Sequence, residues 1–309
     1  MKEKVVVTGG AGFIGSHLAE RLQKDGYDVT VIDNLETGRI ENIKPFLENI
    51  TFIEGSILDD NLLKKALRGA SVVFHQAAIP SIPKSIKHPR KTNAANVHGT
   101  LNVFATALQE GVKRVVFASS SSPYGDSKEL PKVETMEYNP LSPYAAQKML
   151  GEVYGKLYHN IFGLETVGLR YFNIFGPKQN PNSDYAAVIP KFITIIKNGK
   201  RPTIFGDGET TRDFTYIDNA VQANIQAMSA PNVGGEVFNI ACGKRFSLNT
   251  LVEEINNYCG TSIKPKYEDF KTGDIKHSLA DTKKAKKYLG FKPSIDFREG
   301  LRKTFDSLN

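Results

Sequence analysis

The chain has 309 residues, of which 40% are hydrophobic and 24% charged, a composition typical of a soluble globular protein with one large or two unequal domains. Its two cysteines exclude a disulfide framework, and no signal peptide or apolar run of membrane-spanning length is apparent. The formal charge of +7 is modest for a nucleic-acid binder, so we expect a cytoplasmic protein without nucleic-acid or membrane partners.

The chain begins with the pattern of a strand, a glycine-rich turn and a helix. A β-branched run, Lys4–Thr8, precedes residues 9–15, whose glycines match G-x-G-x-x-G and also G-x-x-G-x-x-G, and an amphipathic stretch covers residues 17–26. Backbone without side chains lets a pyrophosphate approach the positive end of a helix dipole. A second strand, residues 28–32, ends in Asp33, whose carboxylate can bind ribose hydroxyls and would repel a 2′-phosphate. The pattern predicts a dinucleotide site that prefers NAD to NADP.

Strand-like and helical runs then alternate through the first half of the chain. The further strand-like runs are Thr51–Glu54 and residues 71–75, 114–119 and 165–170, and the helical patterns include residues 92–111 and 142–162. Such alternation favours an α/β fold with a doubly wound parallel sheet of the Rossmann type and right-handed crossovers. We expect this domain to cover residues 1–170, with a segment at about 215–242 returning to it. Residues 171–214 and 243–309 contain shorter elements and more Pro and Gly, which predicts a smaller α/β substrate-binding lobe.

Tyr144 and Lys148 lie four residues apart in one predicted helix, downstream of a run of four serines at residues 119–122. This spacing puts the phenol and the ammonium on one face of the helix. An unperturbed Tyr has a pKa of about 10 and is a poor base at neutral pH, but a neighbouring positive charge favours the phenolate and lowers that pKa. The pair therefore predicts an acid/base centre.

Together these motifs resemble the extended short-chain dehydrogenase/reductase superfamily, and within it the UDP-galactose 4-epimerase family. The likeness covers the whole chain and rests on residues 8–15, 75–78, 96–100, 119–125, 142–148, 169–173 and 206–214. A finer similarity, to bacterial and archaeal UDP-N-acetylglucosamine (UDP-GlcNAc) 4-epimerases, is carried by residues 119–126, 185–191 and 277–281.

The resemblance implies an NAD-dependent enzyme that inverts C4 of UDP-hexoses, interconverting UDP-GlcNAc and UDP-GalNAc together with UDP-Glc and UDP-Gal. In that family a Tyr takes the proton of the sugar 4-hydroxyl while tightly held NAD takes the C4 hydride. The resulting 4-keto sugar turns over and is reduced on its other face. By this resemblance Tyr144 is the base, Lys148 tunes it and binds the nicotinamide ribose, and Ser120 relays a proton or hydrogen-bonds O4.

The resemblance also implies two sets of binding residues. NAD is expected at Gly9, Gly12, Phe13, Ile14, Gly15, Asp33, Asn34, Gly38, Ser56, Ile57, Gln76, Ala77, Ala78, Asn96, Ser119, Tyr144, Lys148 and Tyr171. The UDP-sugar is expected at Ser81, Ser120, Ser121, Ser122, Asn173, Ala187, Val188, Thr203, Phe205, Arg212, Lys271, Asp274 and Ser278. Within the second set, Arg212 matches a diphosphate-binding Arg, whose planar fork can clamp phosphate oxygens, and Asp274 matches a ligand of the uridine ribose.

Three positions bear on how closely the chain follows the family pattern. Lys271 stands where a second phosphate-binding Arg is usual, so we expect weaker or less oriented diphosphate binding. Ser56 stands where an Asp commonly faces adenine, which puts that contact in doubt. Ser278 occupies the place of a bulky Tyr that crowds the sugar C2 substituent, so room for an N-acetyl group is expected. The alternative is that Ser278 only packs and other wall residues set selectivity.

Other functions share this scaffold. Dehydratases place Asp and Glu after the catalytic hydroxyl, and decarboxylases a Glu, whereas this chain has Ser121 and Ser122 there. UDP-glucuronate 4-epimerase remains open because the same catalytic set serves it, and a basic cluster at residues 84–91 is either solvated charge or an attraction for an acidic substrate. A different class, a non-catalytic NAD-binding regulator or RNA-binding protein, is disfavoured because both Tyr144 and Lys148 are present.

The resemblance further implies a homodimer built from the helices predicted at residues 92–111 and 142–162. Their apolar residues, which include Leu101, Val103, Phe104, Met149 and Tyr154, could equally form intramolecular core, so composition leaves the dimer open. No metal site is predicted, because His75 follows a buried strand run and is interpreted as a core histidine.

Overall fold

The computed structural model of the chain describes residues 2–180, 188–270 and 276–308. The strands are β1 (Lys4–Thr8), β2 (Asp28–Asp33), β3 (Thr51–Glu54), β4 (Val72–His75), β5 (Arg114–Ser120), β6 (Glu165–Tyr171), β7 (Ile174–Phe175), β8 (Thr203–Phe205), β9 (Thr211–Arg212), β10 (Thr215–Tyr216), β11 (Glu236–Ile240), β12 (Phe246–Ser247) and β13 (Lys266–Glu268). The helices are α1 (Phe13–Lys24), α2 (Asp60–Leu67), α3 (Ile82–Lys87), α4 (Pro89–Asn93), α5 (Gly99–Gln109), α6 (Pro143–Phe162), α7 (Val188–Lys197), α8 (Ile217–Ser229), α9 (Leu248–Cys259), α10 (Lys283–Leu289) and α11 (Phe297–Ser307).

A seven-stranded sheet organises the molecule. Its strands lie in the order β11-β6-β5-β4-β1-β2-β3, and every neighbouring pair is parallel. Read from the β3 edge, the first six strands follow the order 3-2-1-4-5-6, which is that of a dinucleotide-binding sheet. Ligands of such sheets are expected at the carboxyl ends of the strands. The predicted fold class, an α/β protein with a doubly wound parallel sheet, is therefore confirmed.

Both faces of this sheet are buried, as a parallel sheet requires. Alternate side chains of β1 illustrate the division: Val5 and Val7 belong to one core with α1, whereas Val6 belongs to a second core with α2 and α5. Because successive strand residues point to opposite faces, a continuous β-branched run serves two cores at once. These two cores hold the carboxyl ends of the central strands, where the candidate site lies, in a fixed arrangement.

Two predicted helices have different bounds in the structure. Helix α1 begins at Phe13, directly after the glycine turn, so Gly15 lies inside it. The helix predicted over residues 92–111 is divided into α4, a π-helical segment, Ala94–His98, and α5. In that segment the Asn96 side chain accepts a hydrogen bond from the Ile79 amide at 2.7 Å and donates one to the Ile79 carbonyl at 3.2 Å. The spacing of hydrophobic residues in the sequence does not reveal a π-helical segment. Such segments are often found near functional sites.

The second half of the chain contributes short strand pairs and one strand of the main sheet. Strand β11 lies at the sheet edge beside β6. Three separate pairs of strands differ in direction: β7–β10 and β8–β13 are parallel, and β9–β12 is antiparallel. The division into a nucleotide domain and a substrate lobe at the predicted boundaries stays a prediction.

Within residues 2–180, 188–270 and 276–308, no helix combines the length and apolarity needed to cross a membrane. Over the same residues, no cluster of three or more His, Cys, Asp or Glu side chains could hold a metal ion. Cys242 and Cys259 are both free thiols. The cytoplasmic location stays a prediction.

Candidate active site

The glycine turn between β1 and α1 packs too closely for side chains. Gly9 has a φ of +68°, and a Cβ there would lie 2.6 Å from the Cα of Ala77. A Cβ on Gly15 would lie 2.2 Å from the carbonyl oxygen of Gly9. At Gly12 a Cβ meets only the Gly9 carbonyl, at 3.1 Å, and nothing else within 4 Å. The turn thus needs glycine for its own packing, and it leaves backbone open for the close approach of a pyrophosphate.

A cavity of about 1090 Å³ extends from this turn across the carboxyl ends of the central strands. All the residues predicted to bind NAD line it except Asn96, which is buried against Ile79 and Gln147. Of the residues predicted to bind the sugar, Ser81, Ser120 and Asn173 line it as well. The volume lies at the upper end of the range for ligand pockets, as an extended dinucleotide and part of a second ligand would require.

Asp33 sits at the end of β2, on the wall of this cavity. Its carboxylate accepts hydrogen bonds from the Ala11 amide at 3.0 Å and the Leu35 amide at 2.8 Å. Burial raises the pKa of this carboxyl above its usual range, and the backbone amides oppose that rise. A Cβ on Gly38 would lie 2.6 Å from the carboxylate, so the following loop closes tightly around it. The Gly12 amide also hydrogen-bonds this carboxylate, so three of its about four acceptor positions are used and one remains for a ribose hydroxyl.

Tyr144 and Lys148 lie on the first two turns of α6, facing the end of β5. The helix begins after Ser142, whose hydroxyl accepts the Ala145 amide at 3.2 Å, and the Tyr144 amide donates to the Ser85 hydroxyl at 3.1 Å. The Lys148 ammonium donates to the carbonyl of Ala118 at 2.8 Å and lies 6.0 Å from the centre of the Tyr144 ring. The shared helix face predicted for the pair is confirmed by this geometry.

Ser120 completes this group of side chains. Its hydroxyl hydrogen-bonds the phenol of Tyr144 and accepts the Ser122 amide at 3.1 Å. The phenol, the ammonium and the hydroxyl therefore converge at one end of the large cavity, which all three residues line. Such a group can take up and return a proton at a ligand hydroxyl.

The expected effect of Lys148 on the pKa of Tyr144 is wrong for this structure. Burial raises the pKa of the phenol to about 12, and only the Ser120 hydrogen bond opposes the rise. Burial also lowers the pKa of Lys148 to about 8, although the charge of Glu152 partly counteracts this. The reason is geometric: the ammonium is directed at the Ala118 carbonyl, and desolvation is the largest influence on the pKa of each group.

Tyr171 and His75 lie in hydrogen-bonded surroundings. The Tyr171 hydroxyl contacts Asn224 at 2.7 Å and Gln76 at 3.3 Å, and burial raises the pKa of this phenol to about 12. The Thr100 hydroxyl donates to a backbone carbonyl, so His75 donates through Nε2 at 2.9 Å and accepts at Nδ1 from Thr8 at 2.7 Å. Burial lowers the pKa of His75 to about 3. The interpretation of His75 as a hydrogen-bonded core histidine is confirmed.

A second cavity, of about 230 Å³, adjoins the first. Asn173 and Ile174 line both, and the second is also lined by Val188 and Arg212 of the predicted sugar-nucleotide set. Asn173 has a φ of +41°, and its amide donates to the carbonyl of Asp213 and to the hydroxyl of Ser278, both at 3.1 Å. Ser278 is buried beside these residues but lines neither cavity, so its place next to the sugar C2 substituent stays a prediction.

Several predicted sugar-nucleotide residues are not brought to the walls of these two cavities. They are Ser121, Ser122, Thr203, Phe205 and Ser278. The Ser121 amide donates to the carbonyl of Tyr171 at 3.1 Å, the hydroxyl of Ser122 is buried without a hydrogen-bond partner, and β8 pairs with β13. Ala187, Lys271 and Asp274 lie outside the described residues.

Sequence reasoning missed other lining residues. Thr37, Arg39 and Asn42 follow β2 along the large cavity, and Thr210 and Phe214 line the smaller one. Their signal is weak because loop residues follow no hydrophobic period.

Asp213 was also missed by sequence reasoning. It lies between Arg212 and Phe214 and is 0% exposed. Its carboxylate accepts hydrogen bonds from the backbone amides of Cys242, Gly243 and Ala280 at 3.1 to 3.2 Å, which joins three segments of the chain next to the smaller cavity.

Comparison with known proteins agrees with this geometry. The profile of the NAD dependent epimerase/dehydratase family matches residues 5–241. A UDP-glucose 4-epimerase of Mycolicibacterium smegmatis is 36% identical over 98% of this chain and 97% of its own length. A UDP-N-acetylglucosamine 4-epimerase from Methanobrevibacter ruminantium M1, solved with UDP-N-acetylmuramic acid, superposes with a TM-score of 0.95 at 45% identity, covering 99% of this chain and 98% of that one.

A third relative bears on the cofactor. The UDP-glucose 4-epimerase of Thermus thermophilus, solved in complex with NAD, has a TM-score of 0.89 at 32% identity and covers 99% of this chain and 98% of its own. NAD as the cofactor, and an epimerase as the enzyme class, are thereby confirmed. The strand order, the glycine turn, the Tyr144–Lys148 pair and these likenesses agree with one another, and the chain belongs to the NAD dependent epimerase/dehydratase family.

Proposed function

We propose that this chain is a UDP-sugar 4-epimerase that interconverts UDP-GlcNAc and UDP-GalNAc, together with UDP-Glc and UDP-Gal. The observation that carries the proposal is the convergence of Tyr144, Lys148 and Ser120 at one end of a cavity whose other parts suit NAD. One cavity thus holds an acid/base group beside the place of a redox cofactor. This pairing is what a reversible oxidation at a sugar carbon requires.

The protein residues divide the proton chemistry between them. When bound, NAD supplies a reversible two-electron oxidant for C4. Tyr144 takes the proton of the 4-hydroxyl as a phenolate and returns it from the phenol to the 4-keto oxygen once the sugar has turned over. Ser120 hydrogen-bonds this phenol, which opposes the rise in its pKa, and orients the sugar oxygen, while the Lys148 ammonium, 6.0 Å from the centre of the ring, is placed to bind the nicotinamide ribose. Burial raises the pKa of Tyr144 to about 12 although the Ser120 hydrogen bond opposes the rise, so proton uptake near neutral pH requires further stabilisation of the phenolate when the ligands bind.

The smaller cavity suits the remainder of the sugar nucleotide. Arg212 offers a guanidinium beside Thr210, which we propose holds the diphosphate. Asn173, which lines both cavities, is placed to contact the sugar between them. Ser278 is a small buried residue behind Asn173, whose amide donates to its hydroxyl. A small residue at this position supports a substrate with an N-acetyl group at C2, because the bulky Tyr usual there would crowd that substituent.

The direct test is to incubate the purified protein with UDP-GlcNAc, UDP-Glc and UDP-glucuronate and to separate the C4 epimers chromatographically. We expect equilibrium mixtures of the GlcNAc/GalNAc and Glc/Gal pairs without added NAD, because the cofactor is regenerated in each cycle. Addition of NAD to protein stripped of nucleotide serves as the matched control. Failure to epimerise any of the three sugars, in protein shown to contain NAD, would contradict the proposal.

A second candidate, UDP-glucuronate 4-epimerase, is favoured by one observation. Lys84 on α3 lines the large cavity, three residues after Ser81, and has no ion-pair partner among the described residues. By contrast Lys91, which also lines this cavity, pairs with Glu36 at 2.7 Å. An unpaired ammonium can attract a substrate carboxylate. The UDP-glucuronate arm of the assay decides between the two candidates.

We further propose that the chain forms a homodimer through α6. Val153, Leu157 and Ile161 are exposed at four-residue spacing on this helix, which makes one apolar stripe. Val103 and Phe104 are fully buried in the intramolecular core, so the apolar residues of α5 named in the sequence analysis are partly accounted for without a partner. We expect Leu157→Glu to shift the mass measured by light scattering from dimer to monomer. An unchanged mass, or a monomeric parent protein, would contradict this arrangement.

A further inference from the structure

A third ionisable residue follows Tyr144 and Lys148 on the same face of α6. Glu152 lies one turn beyond Lys148, and its side chain is 1% exposed. It forms an ion pair with Arg170 of β6, which is also 1% exposed. Burying two charges is costly unless their hydrogen-bonding capacity is filled. The placement of this pair beneath the catalytic group therefore needs a reason beyond stability.

Both carboxylate oxygens of Glu152 accept hydrogen bonds from neighbouring side chains. Oε1 accepts from Arg170 Nε at 2.8 Å and from the hydroxyl of Ser119. Oε2 accepts from Arg170 Nη2 at 2.7 Å and from the hydroxyl of Tyr138 at 2.8 Å. Two donors on each oxygen account for the ordinary lone-pair capacity of a carboxylate. Its position relative to β5, β6 and the loop that precedes α6 is thus fixed from three directions.

Arg170 is held as firmly as its partner. Its guanidinium lies 4.7 Å from the centre of the Tyr124 ring and 5.3 Å from that of Tyr138, so it is enclosed between two aromatic side chains of the β5–α6 connection. The Tyr124 hydroxyl in turn donates to Asn239 of β11 at 2.7 Å. These contacts fix the guanidinium from the connection between β5 and α6 and, through Tyr124, from β11.

Two contacts link this network to the reacting groups. Ser119, which donates to Glu152, directly precedes Ser120 on β5. On the same strand, the carbonyl of Ala118 accepts the Lys148 ammonium. Displacing Glu152 would therefore move β5 relative to α6, and with it the distance between the hydroxyl, the phenol and the ammonium. A geometric error of this kind affects the rate of the chemical step most.

The charge of Glu152 acts on Lys148 as well. The charged and titratable groups around the ammonium are Tyr144 and Glu152 on α6, neutral His75 on β4, and Arg170 on β6 behind Glu152. Burial lowers the pKa of Lys148 to about 8, and the negative charge of Glu152 is the one influence found to raise it. Loss of that charge favours the neutral amine at a lower pH.

We propose that Glu152 is a positioning residue of the epimerase, which holds the end of β5 against α6 and places its carboxylate one helical turn from Lys148. The inference rests on the proposed function, because it assigns Glu152 a part in that reaction. The plainer reading is a buried ion pair that contributes only to stability. The two readings differ in one measurable property, the pH dependence of turnover.

The test compares Glu152→Gln with a matched control, Glu165→Gln. Glu165 pairs with Arg114 at 2.7 Å, and the two residues lie opposite each other at the far ends of β5 and β6. We expect kcat of the parent protein to fall above about pH 8, where Lys148 loses its proton. In Glu152→Gln this alkaline limb should move down by about one pH unit, about a tenfold loss of kcat at any pH above the limb. In Glu165→Gln it should stay in place.

If kcat falls at the same alkaline pH in Glu152→Gln, Glu165→Gln and the parent protein, the proposal is overturned. This holds whatever the melting temperatures of the variants. If Glu152→Gln does not fold because Arg170 is left unpaired, the double variant Glu152→Gln/Arg170→Met removes both charges, and its limb must also move down. An inactive parent protein would refute the proposed function instead. An active parent with an unmoved limb refutes only the role of Glu152.

Discussion

Replacing Tyr144 by Phe removes one phenol oxygen from the wall of the large cavity and leaves the ring in place. In the structure this oxygen hydrogen-bonds Ser120, whose hydroxyl also accepts the Ser122 amide at 3.1 Å and so keeps a partner in the variant. One lost hydrogen bond costs about 0.5–1.5 kcal/mol of stability, and removal of a buried polar atom offsets part of that cost. We therefore expect the variant to fold and to retain NAD.

The expected effect on turnover is much larger. If Tyr144 is the base, its loss should lower kcat by about 10²- to 10⁴-fold, which corresponds to about 3–5 kcal/mol of barrier. Since this exceeds the expected change in stability several times, the two effects can be separated. The variant should lose turnover at temperatures where it remains fully folded.

The assay measures kcat for UDP-GlcNAc and UDP-Glc, thermal unfolding, and the NAD released on denaturation. Tyr158→Phe is the matched control, because Tyr158 lies on the same helix but packs against Phe104 and Phe162 away from the cavity. We expect Tyr158→Phe to keep near-normal activity. A folded, NAD-containing Tyr144→Phe variant within tenfold of the parent rate would refute the assignment of Tyr144 as the base.

Three further predictions concern the sugar wall and the glycine turn. Ser278→Tyr places a ring next to Asn173, which lines both cavities, and should reduce kcat/KM for UDP-GlcNAc about 10- to 200-fold more than for UDP-Glc; equal losses would refute the role of Ser278. Burial raises the pKa of Asp213 from 3.8 to about 7, so the folded protein retains a proton that the unfolded chain loses, and the free energy of unfolding should fall as pH rises from about 4 to 7. Urea unfolding of Asp213→Asn should show this decline weakened, and an identical slope would contradict the cause given. In Gly15→Ala the new Cβ lies 2.2 Å from the Gly9 carbonyl, so we expect about 1–3 kcal/mol lower stability by urea unfolding and loss of bound NAD; an unaffected variant would show that the turn has room.

The dinucleotide half of the site could be predicted because its signals are local. The strand Lys4–Thr8, the glycine turn and Asp33 follow one another in the chain, and close packing around Gly9 and Gly15 permits few alternatives. Tyr144 and Lys148 likewise follow from the period of a single helix. Residues four apart in an α-helix lie on the same face, so the spacing in the sequence is enough to predict that these two side chains lie side by side.

The sugar half was less predictable because its residues come from separate segments. Asn173, Arg212 and Ser278 were assigned by family likeness, and the structure brings them together around Asp213, which carried no signal of its own. Asn96 was assigned to the cofactor, yet its amide is used within the fold. Side chains that satisfy buried backbone groups cannot be told from ligand-binding ones until their neighbours are known.

By itself the sequence determined the glycine turn with its acidic partner and the spacing of the catalytic pair, since each depends on residues near in the chain, and it determined the parallel sheet through the alternation of strand and helix patterns. Only the tertiary structure decided the protonation of that pair. Burial raises the pKa of Tyr144 and lowers that of Lys148, and Glu152 acts on the latter from one turn away while held by Arg170 of another strand. Solvation and charge depend on everything that surrounds a group in space, and most of these neighbours are distant in the chain.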